Sequence, residues 1–248
     1  MSKQASSYFQ RPLPYRRRTQ RPLNSLLWLL PMLAVFHVLD LWWDADLLRG
    51  ELLHRGLAAV GLTATWLPAL VVIAVLLGQH IVRRDPWEFQ GLTLAGMALE
   101  SAAGIVPLIG LGVLTDKIWP PAALSGAAAN SHAVAQQVVA GVGAAVYEEF
   151  LFRLVFIGLV LLIFANLLKL DRHVVGTVAV LISAAAFSLN HFRLPELSAA
   201  AFPWREFIFR ALVGVYLGVV FVTRGLGVGC GVHAFWNIYF FLNHPASG

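Results

Sequence analysis

The apolar run from Gln136 to Leu168 is long enough to cross a bilayer, yet it contains Glu148, Glu149 and Arg153. On insertion scales a charged side chain at the centre of a membrane helix costs about 2.5–3.5 kcal/mol unless it is paired or hydrated. Two adjacent carboxylates in such a run need a reason to be there. Their position predicts a functional site inside a membrane.

The rest of the composition agrees with a membrane protein. The chain has 248 residues, of which 58% are hydrophobic and 12% are charged, whereas soluble domains are about 45–50% apolar and about 25% charged. The apolar residues fall into long runs, so we predict an all-α, polytopic membrane protein with about seven transmembrane helices, within a range of six to eight. The predicted spans are Ser25–Trp43, Leu57–Val82, Gly91–Leu114, Gln136–Leu168, Val174–Leu189, Phe207–Val222 and Leu226–Leu242.

Three irregularities are expected in these spans. Gly104 and Pro107 can bend the third span, and glycines near Gly141–Gly143 can break the fourth. The fourth run is also longer than a hydrocarbon core of about 30 Å requires, which predicts tilting or an interfacial part. The segment Ser125–Asn130 is expected to be flexible and could flank an access path.

The first 24 residues carry an excess of basic side chains and no acidic one. Pro12, Pro14 and Pro22 oppose helix there, so the segment is expected to be disordered or interfacial. A basic patch just before an apolar span indicates contact with anionic lipid rather than nucleic acid. We divide the chain into a basic cytoplasmic or interfacial tail (1–24), N-terminal transmembrane helices with a loop (25–132) and a transmembrane core (133–243) that contains Glu148, Glu149 and Arg153.

Lysine and arginine counts predict an N-terminus in the cytoplasm, mainly because of the basic tail. Seven alternating spans then put the start of the fourth span and the end of the fifth on the non-cytoplasmic side.

Three pairs of side chains stand four residues apart and so share a helix face, namely Glu149–Arg153, Phe187–His191 and His233–Asn237. Pairing with Arg153 makes Glu149 tolerable in a low dielectric. Glu148 points about 100° away and has no such partner in its own helix. His191 and His233 are the candidates to approach it from other spans.

These residue types are sufficient for peptide-bond hydrolysis. A buried glutamate beside a neutral imidazole can hold and deprotonate a water molecule, and a second histidine with an asparagine can donate hydrogen bonds to the resulting oxyanion. The alternative, non-catalytic interpretation is that Glu149 and Arg153 form a structural ion pair and that each histidine only contributes to helix packing. Glu100 could face the same cavity or pair with an arginine.

Two other features carry less chemistry. Cys230 is the single cysteine, so an intrachain disulfide and a cysteine metal site are excluded, and its apolar neighbours make it a poor nucleophile. His37 and Asp40 share a helix face and are expected to form a local polar pair near the interface.

The motifs carry a family resemblance. E-E-F-L-F-R from Glu148, F-S-L-N-H from Phe187 and H-A-F-W-N from His233 match, in order, E-E-x-x-x-R, F-x-x-x-H and H-x-x-x-N. This set resembles the CAAX protease and bacteriocin-processing (Abi) family of glutamic-type intramembrane endopeptidases, including the core of the prenyl-protein proteases. The resemblance covers roughly Ala133–Asn243.

The resemblance implies a role for each matched position. Glu148 and His191 would activate the water, Glu149 and Arg153 would support the site, and His233 and Asn237 would lie on the oxyanion side. It also implies no cofactor or metal, a membrane-anchored or lipid-modified peptide or protein as substrate, and a location such as a bacterial inner membrane. The substrate itself does not transfer, and prenyl-protein proteases act on cytosolic substrates, which conflicts with the predicted orientation.

Two alternatives from other classes remain. In a zinc-dependent membrane hydrolase Glu148, His191 and His233 would be the metal ligands, although no H-E-x-x-H motif occurs. In a non-catalytic transporter or immunity protein the intramembrane carboxylates would couple protons, although the sequence shows no inverted repeat.

Overall fold

The computed structural model describes residues 13–47, 52–120, 131–192 and 202–244, and all regular structure in these ranges is helical. The predicted all-α class is thereby confirmed. The helices are α1 Tyr15–Thr19, α2 Pro22–Trp43, α3 Leu52–Ala59, α4 Leu67–Arg83, α5 Gly91–Ala103, α6 Val106–Ile118, α7 Ser131–Leu167, α8 Arg172–Leu189, α9 Trp204–Arg224 and α10 Leu226–Asn243.

The helices form a bundle suited to a membrane. Within the described ranges, five stretches are long and apolar enough to cross it, namely α2, α5 continued by α6, α7, α8 and α9. Helix α4 is apolar but shorter, with 17 residues, and α10 has 18. Large apolar side chains such as Trp42 and Leu92 face outward, which suits surfaces in contact with lipid. The chain is an integral, polytopic membrane protein, as predicted.

Helix α10 lies at the centre of the bundle. Every residue from Leu226 to Ala234 is buried, and the helix packs against α7, α5, α9 and α2. Glycines permit this close approach, because a Cβ on Gly227 would lie 2.6 Å from Met97 and one on Gly231 would lie 2.2 Å from the Ser101 hydroxyl. The buried glycine-rich turns of α10 place His233 among the other helices.

Two predicted spans need correction or refinement. The second span was predicted to start at Leu57, but α3 ends at Ala59 and α4 begins only at Leu67, with Pro68 in its first turn where proline is tolerated. The third span is confirmed as a bent element, because α5 ends at Ala103 and α6 begins at Val106.

The predicted break of the fourth span at Gly141–Gly143 was wrong, since α7 passes through this segment without interruption. The two glycines instead allow close packing. A Cβ on Gly143 would lie 2.4 Å from the ring of Phe36, and one on Gly141 would lie 2.8 Å from the ring of Phe241.

The irregularity in α7 comes later, just after the two glutamates. Regular α-helix ends at Glu149, and Phe150–Ile157 has the wider π-helical hydrogen-bonding pattern, as does Leu161–Leu167. Short π-helical segments inside α-helices are frequently found at functional sites. The wider turns leave the Phe152 carbonyl to accept a hydrogen bond from the Ser183 hydroxyl at 2.6 Å.

The prediction that prolines keep the N-terminal tail out of helix was wrong for its described part, while residues 1–12 lie outside the described ranges. Residues Tyr15–Thr19 form α1, and α2 begins at Pro22. Helix α1 is attached to the bundle by side chains. Nε of Arg16 and Nε2 of Gln20 both donate to the carbonyl of Thr223, at 3.1 and 2.8 Å.

The helix directions define two ends of the bundle. Helices α8 and α9 are antiparallel, because Gly218 lies against Val180 and Gly214 against Ala184. The first residue of α8, Arg172, and the last residue of α9, Arg224, therefore lie on the same side of the bundle as α1. We call this end the basic face and the other end the opposite face.

Candidate active site

The two adjacent glutamates lie at the end of the regular part of α7 and are both buried. Because successive residues on a helix point about 100° apart, they face different neighbours. Glu149 faces Arg153 and His233, whereas Glu148 faces His191 and His233.

Glu149 forms the predicted ion pair with Arg153. Oε2 of Glu149 lies 3.2 Å from Nε of Arg153, and both side chains are completely buried. The guanidinium also donates from Nη2 to the carbonyl of Gly214 at 3.2 Å and lies over the ring of Phe187, 4.6 Å from its centroid. These contacts spread the arginine charge over a carboxylate, a carbonyl and an aromatic face.

His233 lies between the two glutamates. Its Nδ1 is 3.1 Å from Oε1 of Glu149, and its Nε2 is 3.8 Å from Oε2 of Glu148. An ionised carboxylate only accepts hydrogen bonds, so Nδ1 of His233 is the donor. In the neutral imidazole this leaves the lone pair of Nε2 directed toward Glu148.

His191 approaches Glu148 from the end of α8. Its Nδ1 donates to the carbonyl of Phe187 at 2.9 Å, and its Nε2 lies 3.6 Å from Oε1 of Glu148. That separation is slightly too long for a direct hydrogen bond and suits a bridging water. A neutral His191 would therefore offer its Nε2 as an acceptor to such a water.

Asn237 lies one turn beyond His233 on α10 and is partly buried. Its Nδ2 donates to the carbonyl of Gly141 at 2.8 Å. One N–H of the amide thus ties α10 to α7, and one N–H is left for another acceptor. The structure adds this bracing contact to the oxyanion role implied by the sequence.

Phe187 is a contact residue whose importance the sequence indicated only through its spacing from His191. Its ring lies 4.9 Å from the ring of His191, 5.7 Å from that of His233 and 5.8 Å from that of Phe152, measured between centroids. Together with the guanidinium of Arg153, these contacts surround the ring. Phe187 therefore fixes the relative positions of both histidines.

Glu100, left open by the sequence, belongs to a separate cluster at the basic face. Both of its carboxylate oxygens accept from Arg224, one of them from Nη2 at 2.7 Å, and Oε2 also accepts from the hydroxyl of Tyr15 at 2.9 Å. Of the two possibilities, pairing with an arginine is therefore the one formed. Cys230 is fully buried in the middle of the bundle.

His37 and Asp40 interact electrostatically, as predicted, and each also hydrogen-bonds another group. Nε2 of His37 hydrogen-bonds the hydroxyl of Tyr147 at 2.7 Å, directly beside Glu148 in the chain. Asp40 accepts from the backbone N–H of Leu47 at 2.7 Å. His37 thus helps to hold α2 against α7 next to the site.

Access to the site is one-sided. The His191 side chain is 30% exposed and that of Glu148 is 11% exposed, whereas Glu149 and Arg153 have no exposed surface. His191 follows the last turn of α8, so the exposed part of the site is at the opposite face. Among the described residues, no group of three or more His, Cys, Asp or Glu side chains has the spacing of a metal site.

The fold and these contacts define an integral membrane protein in which helices α7, α8 and α10 bring a carboxylate and two histidines together between them. Residues 130–239 match the family of type II CAAX prenyl endopeptidases described as Rce1-like. The matched segment comprises 110 of the 248 residues and includes all six predicted site residues, so this part of the chain is similar to a CAAX-type endopeptidase domain. No curated protein and no solved structure matches the chain.

Proposed function

We propose that the protein is a glutamic intramembrane endopeptidase in which Glu148 and His191 activate a water molecule. The observation that carries this proposal is the contrast between the two glutamates. Glu149 has Arg153 as its cationic partner, whereas in the described part of the chain Glu148 faces the Nε2 atoms of His191 and His233, at 3.6 and 3.8 Å, and no arginine or lysine. A carboxylate at the exposed edge of the site that is not held by an arginine can act as a general base.

The reaction follows from this arrangement. A water between Glu148 and His191 donates one hydrogen to the carboxylate and the other to Nε2 of His191. Its oxygen attacks the carbonyl carbon of the scissile peptide bond, and the proton passes to Glu148. When the carbon–nitrogen bond breaks, Glu148 returns the proton to the leaving amine, so the products are a carboxylic acid and an amine.

The negative oxygen formed during attack needs hydrogen-bond donors. We assign this task to the remaining N–H of Asn237 and to Nε2 of His233. His233 can donate from Nε2 only as the imidazolium, because Nδ1 already carries the proton bonded to Glu149. Removal of one such donor costs about 10²–10³ in kcat in other hydrolases.

Glu149, Arg153 and Phe187 are positioning residues in this proposal. They hold His233 and His191 at fixed orientations and do not meet the scissile bond. The ion pair is buried completely, so its loss would disturb the packing of α7 against α8, α9 and α10.

The proposal is tested by Glu148→Gln and His191→Ala, compared with Glu88→Gln, which removes an exposed carboxylate in the turn before α5. Peptides from the termini of membrane-associated proteins are compared in cells carrying each variant. Both site variants should abolish processing of the natural substrate while the protein still inserts at a normal level, and Glu88→Gln should process it normally. Retained processing in either site variant would contradict the proposal.

A metal-dependent hydrolase is the second candidate, because two Nε2 lone pairs and a carboxylate converge on one region. The spacing of the described residues gives no complete metal site. Elemental analysis of the purified protein and activity after chelator treatment separate the candidates. Stoichiometric zinc with loss of activity on chelation would favour the second one.

We place the N-terminus in the cytoplasm, because the basic side chains concentrate at the end that holds α1. We propose a bacterial inner membrane as the location, because the motif resemblance implies one. The substrate in this proposal is a peptide or protein anchored in the same membrane. An anchor raises its local concentration beside the helices that enclose Glu148.

A further inference from the structure

We infer that the active site opens on the non-cytoplasmic side of the membrane, so that its substrates are extended peptide segments of exported, membrane-anchored proteins. This inference rests on the proposed function and adds the side of access and the class of substrate. It separates the protein from enzymes that act on prenylated tails in the cytosol.

The first observation is the charge of the basic face. Gln20 contacts both Thr223 and Arg83, which brings α1, the end of α4 and the end of α9 together there. The turn between α7 and α8 is at the same end, because α8 and α9 are antiparallel. The described basic residues at this face are Arg16, Arg17, Arg18, Arg21, Arg83, Arg84, Lys169, Arg172 and Arg224, and the acidic ones are Asp85, Glu88, Glu100 and Asp171. Cytoplasmic ends of membrane helices carry such an excess of lysine and arginine.

The opposite face has a different balance. Trp43 at the end of α2 contacts His132 at the start of α7, and Nε of Arg205 donates to the carbonyl of Trp119, which brings the ends of α6 and α9 together. The described basic residues at this face are Arg55, Lys117, Arg205 and Arg210, and the acidic ones are Asp44, Asp46, Asp116 and Glu206. Two of these charges neutralise each other, because Arg205 pairs with Asp116 at 2.5 Å.

The second observation is the position of the site between these faces. His191 lies beyond the last turn of α8, at the opposite face, and Ser188 donates to the carbonyl of Phe207 near the start of α9. The exposed edge of His191 is thus directed away from the basic face. A peptide that reaches Glu148 past His191 must come from the opposite face.

The third observation is the barrier toward the basic face. Glu149, Arg153, Cys230 and Met97 have no exposed surface, and Leu226 is almost fully buried. These side chains fill the space between Glu148 and the turns that hold the arginines. The Glu100–Arg224–Tyr15 cluster closes the same end further out.

The chemistry of the substrate follows from the side of access. Peptidases bind their substrates in an extended form, and Glu148 lies between membrane helices, so the segment that reaches it is close to the point where the substrate is anchored. On the non-cytoplasmic side this segment belongs to an exported protein held by an apolar helix or a lipid. A prenylcysteine tail made in the cytosol is on the wrong side of the barrier formed by Glu149 and Arg153.

The test places single new cysteines in the wild-type chain. The natural cysteine, Cys230, is buried, so the wild type serves as the unlabelled control. Asn190→Cys and Lys117→Cys put exposed thiols at the opposite face, and Glu88→Cys and Arg17→Cys put them at the basic face. Intact cells with a permeable outer envelope are treated with a charged, membrane-impermeant maleimide. We expect labelling at 190 and 117 before lysis and at 88 and 17 only after lysis.

The reverse pattern, or labelling at both faces before lysis, would overturn the inference. This outcome is independent of catalysis, so it is distinct from a failure of the proposed function, which Glu148→Gln tests. In a second measurement, precursors that accumulate in Glu148→Gln cells are mapped. Uncleaved bonds on the non-cytoplasmic side of an anchor support the inference, and uncleaved bonds in cytosolic tails contradict it.

Discussion

Nδ1 of His233 donates to Oε1 of Glu149 across 3.1 Å, so the glutamate that pairs with Arg153 also orients a histidine of the site. This contact sets which nitrogen of His233 carries the proton in the neutral ring. It links the buried ion pair to the region around Glu148, whose Oε2 is 3.8 Å from the other ring nitrogen. The structural and chemical parts of the site are therefore connected through one imidazole.

Glu149→Gln tests the structural side of this link. The glutamine can still accept from Nδ1 of His233, but it leaves the buried charge of Arg153 without its carboxylate. Removal of one partner of a buried ion pair typically costs about 3–5 kcal/mol. Thermal or denaturant unfolding in detergent should show a loss of this size.

The matched control for this prediction is the double variant Glu149→Leu with Arg153→Leu. It removes both charges at once, so it should be more stable than Glu149→Gln. A single variant that loses less than about 1 kcal/mol would show that the ion pair does not hold α7 in place.

Phe187→Leu tests the positioning of the two histidines. Leucine keeps apolar bulk beside α9 but removes the ring that contacts His191, His233 and Arg153. We expect kcat to fall by about tenfold or more with little change in KM, because misplacement of the water-activating groups acts on the chemical step. An unchanged kcat at normal stability would exclude a positioning role for the ring.

Gly143→Ala tests the close approach of α2 and α7 beside the site. The new Cβ would lie 2.4 Å from the ring of Phe36, so overpacking should destabilise the protein by about 1–3 kcal/mol. Gly158→Ala is the control in the same helix, because no atom lies within 4 Å of its Cβ position. Gly158→Ala should be neutral or stabilising by up to about 1 kcal/mol, and equal losses in both variants would contradict the packing described.

The attachment of α1 predicts a pH dependence at the basic face. Burial, together with the hydrogen bond to the Glu100 carboxylate, raises the pKa of Tyr15 to about 12. Because this pKa is above the ordinary value of 10.0, the contribution of the phenol to stability is complete below the ordinary value and is lost as the pH rises through about 12. The tyrosinate absorbance of the wild type minus that of Tyr15→Phe should show one phenol that titrates at a pH well above the ordinary value. Titration of this phenol near the ordinary value would contradict the prediction.

The sequence predicted much of the fold and the composition of the site. These predictions used charges within an apolar run, four-residue spacings and basic flanks. Such features concern residues close together in the chain, so they can be recognised from the sequence alone. The pairing of Glu149 with Arg153 follows from such spacing. The helix class followed from hydropathy alone.

Contacts between distant helices could not be predicted in this way. The bonds from His233 to Glu149 and from Asn237 to Gly141 depend on how α10 packs against α7. The role of Glu100 depends on how α1, α5 and α9 meet. The glycines at 141 and 143 illustrate the difficulty, since the same residue type can break a helix or allow two helices to approach. Only the packing against Phe36 and Phe241 decides between these outcomes.

The water-activating role of Glu148 is tested most directly by the cleavage rate of a purified precursor that accumulates in Glu148→Gln cells. Wild type, Glu148→Gln and Glu88→Gln are compared in the same detergent after their unfolding temperatures have been measured. We predict equal rates for the wild type and Glu88→Gln, and a rate at least about 10²-fold lower for Glu148→Gln at an unchanged unfolding temperature. Cleavage by Glu148→Gln within about tenfold of the wild-type rate would contradict the assignment of Glu148 as the catalytic base.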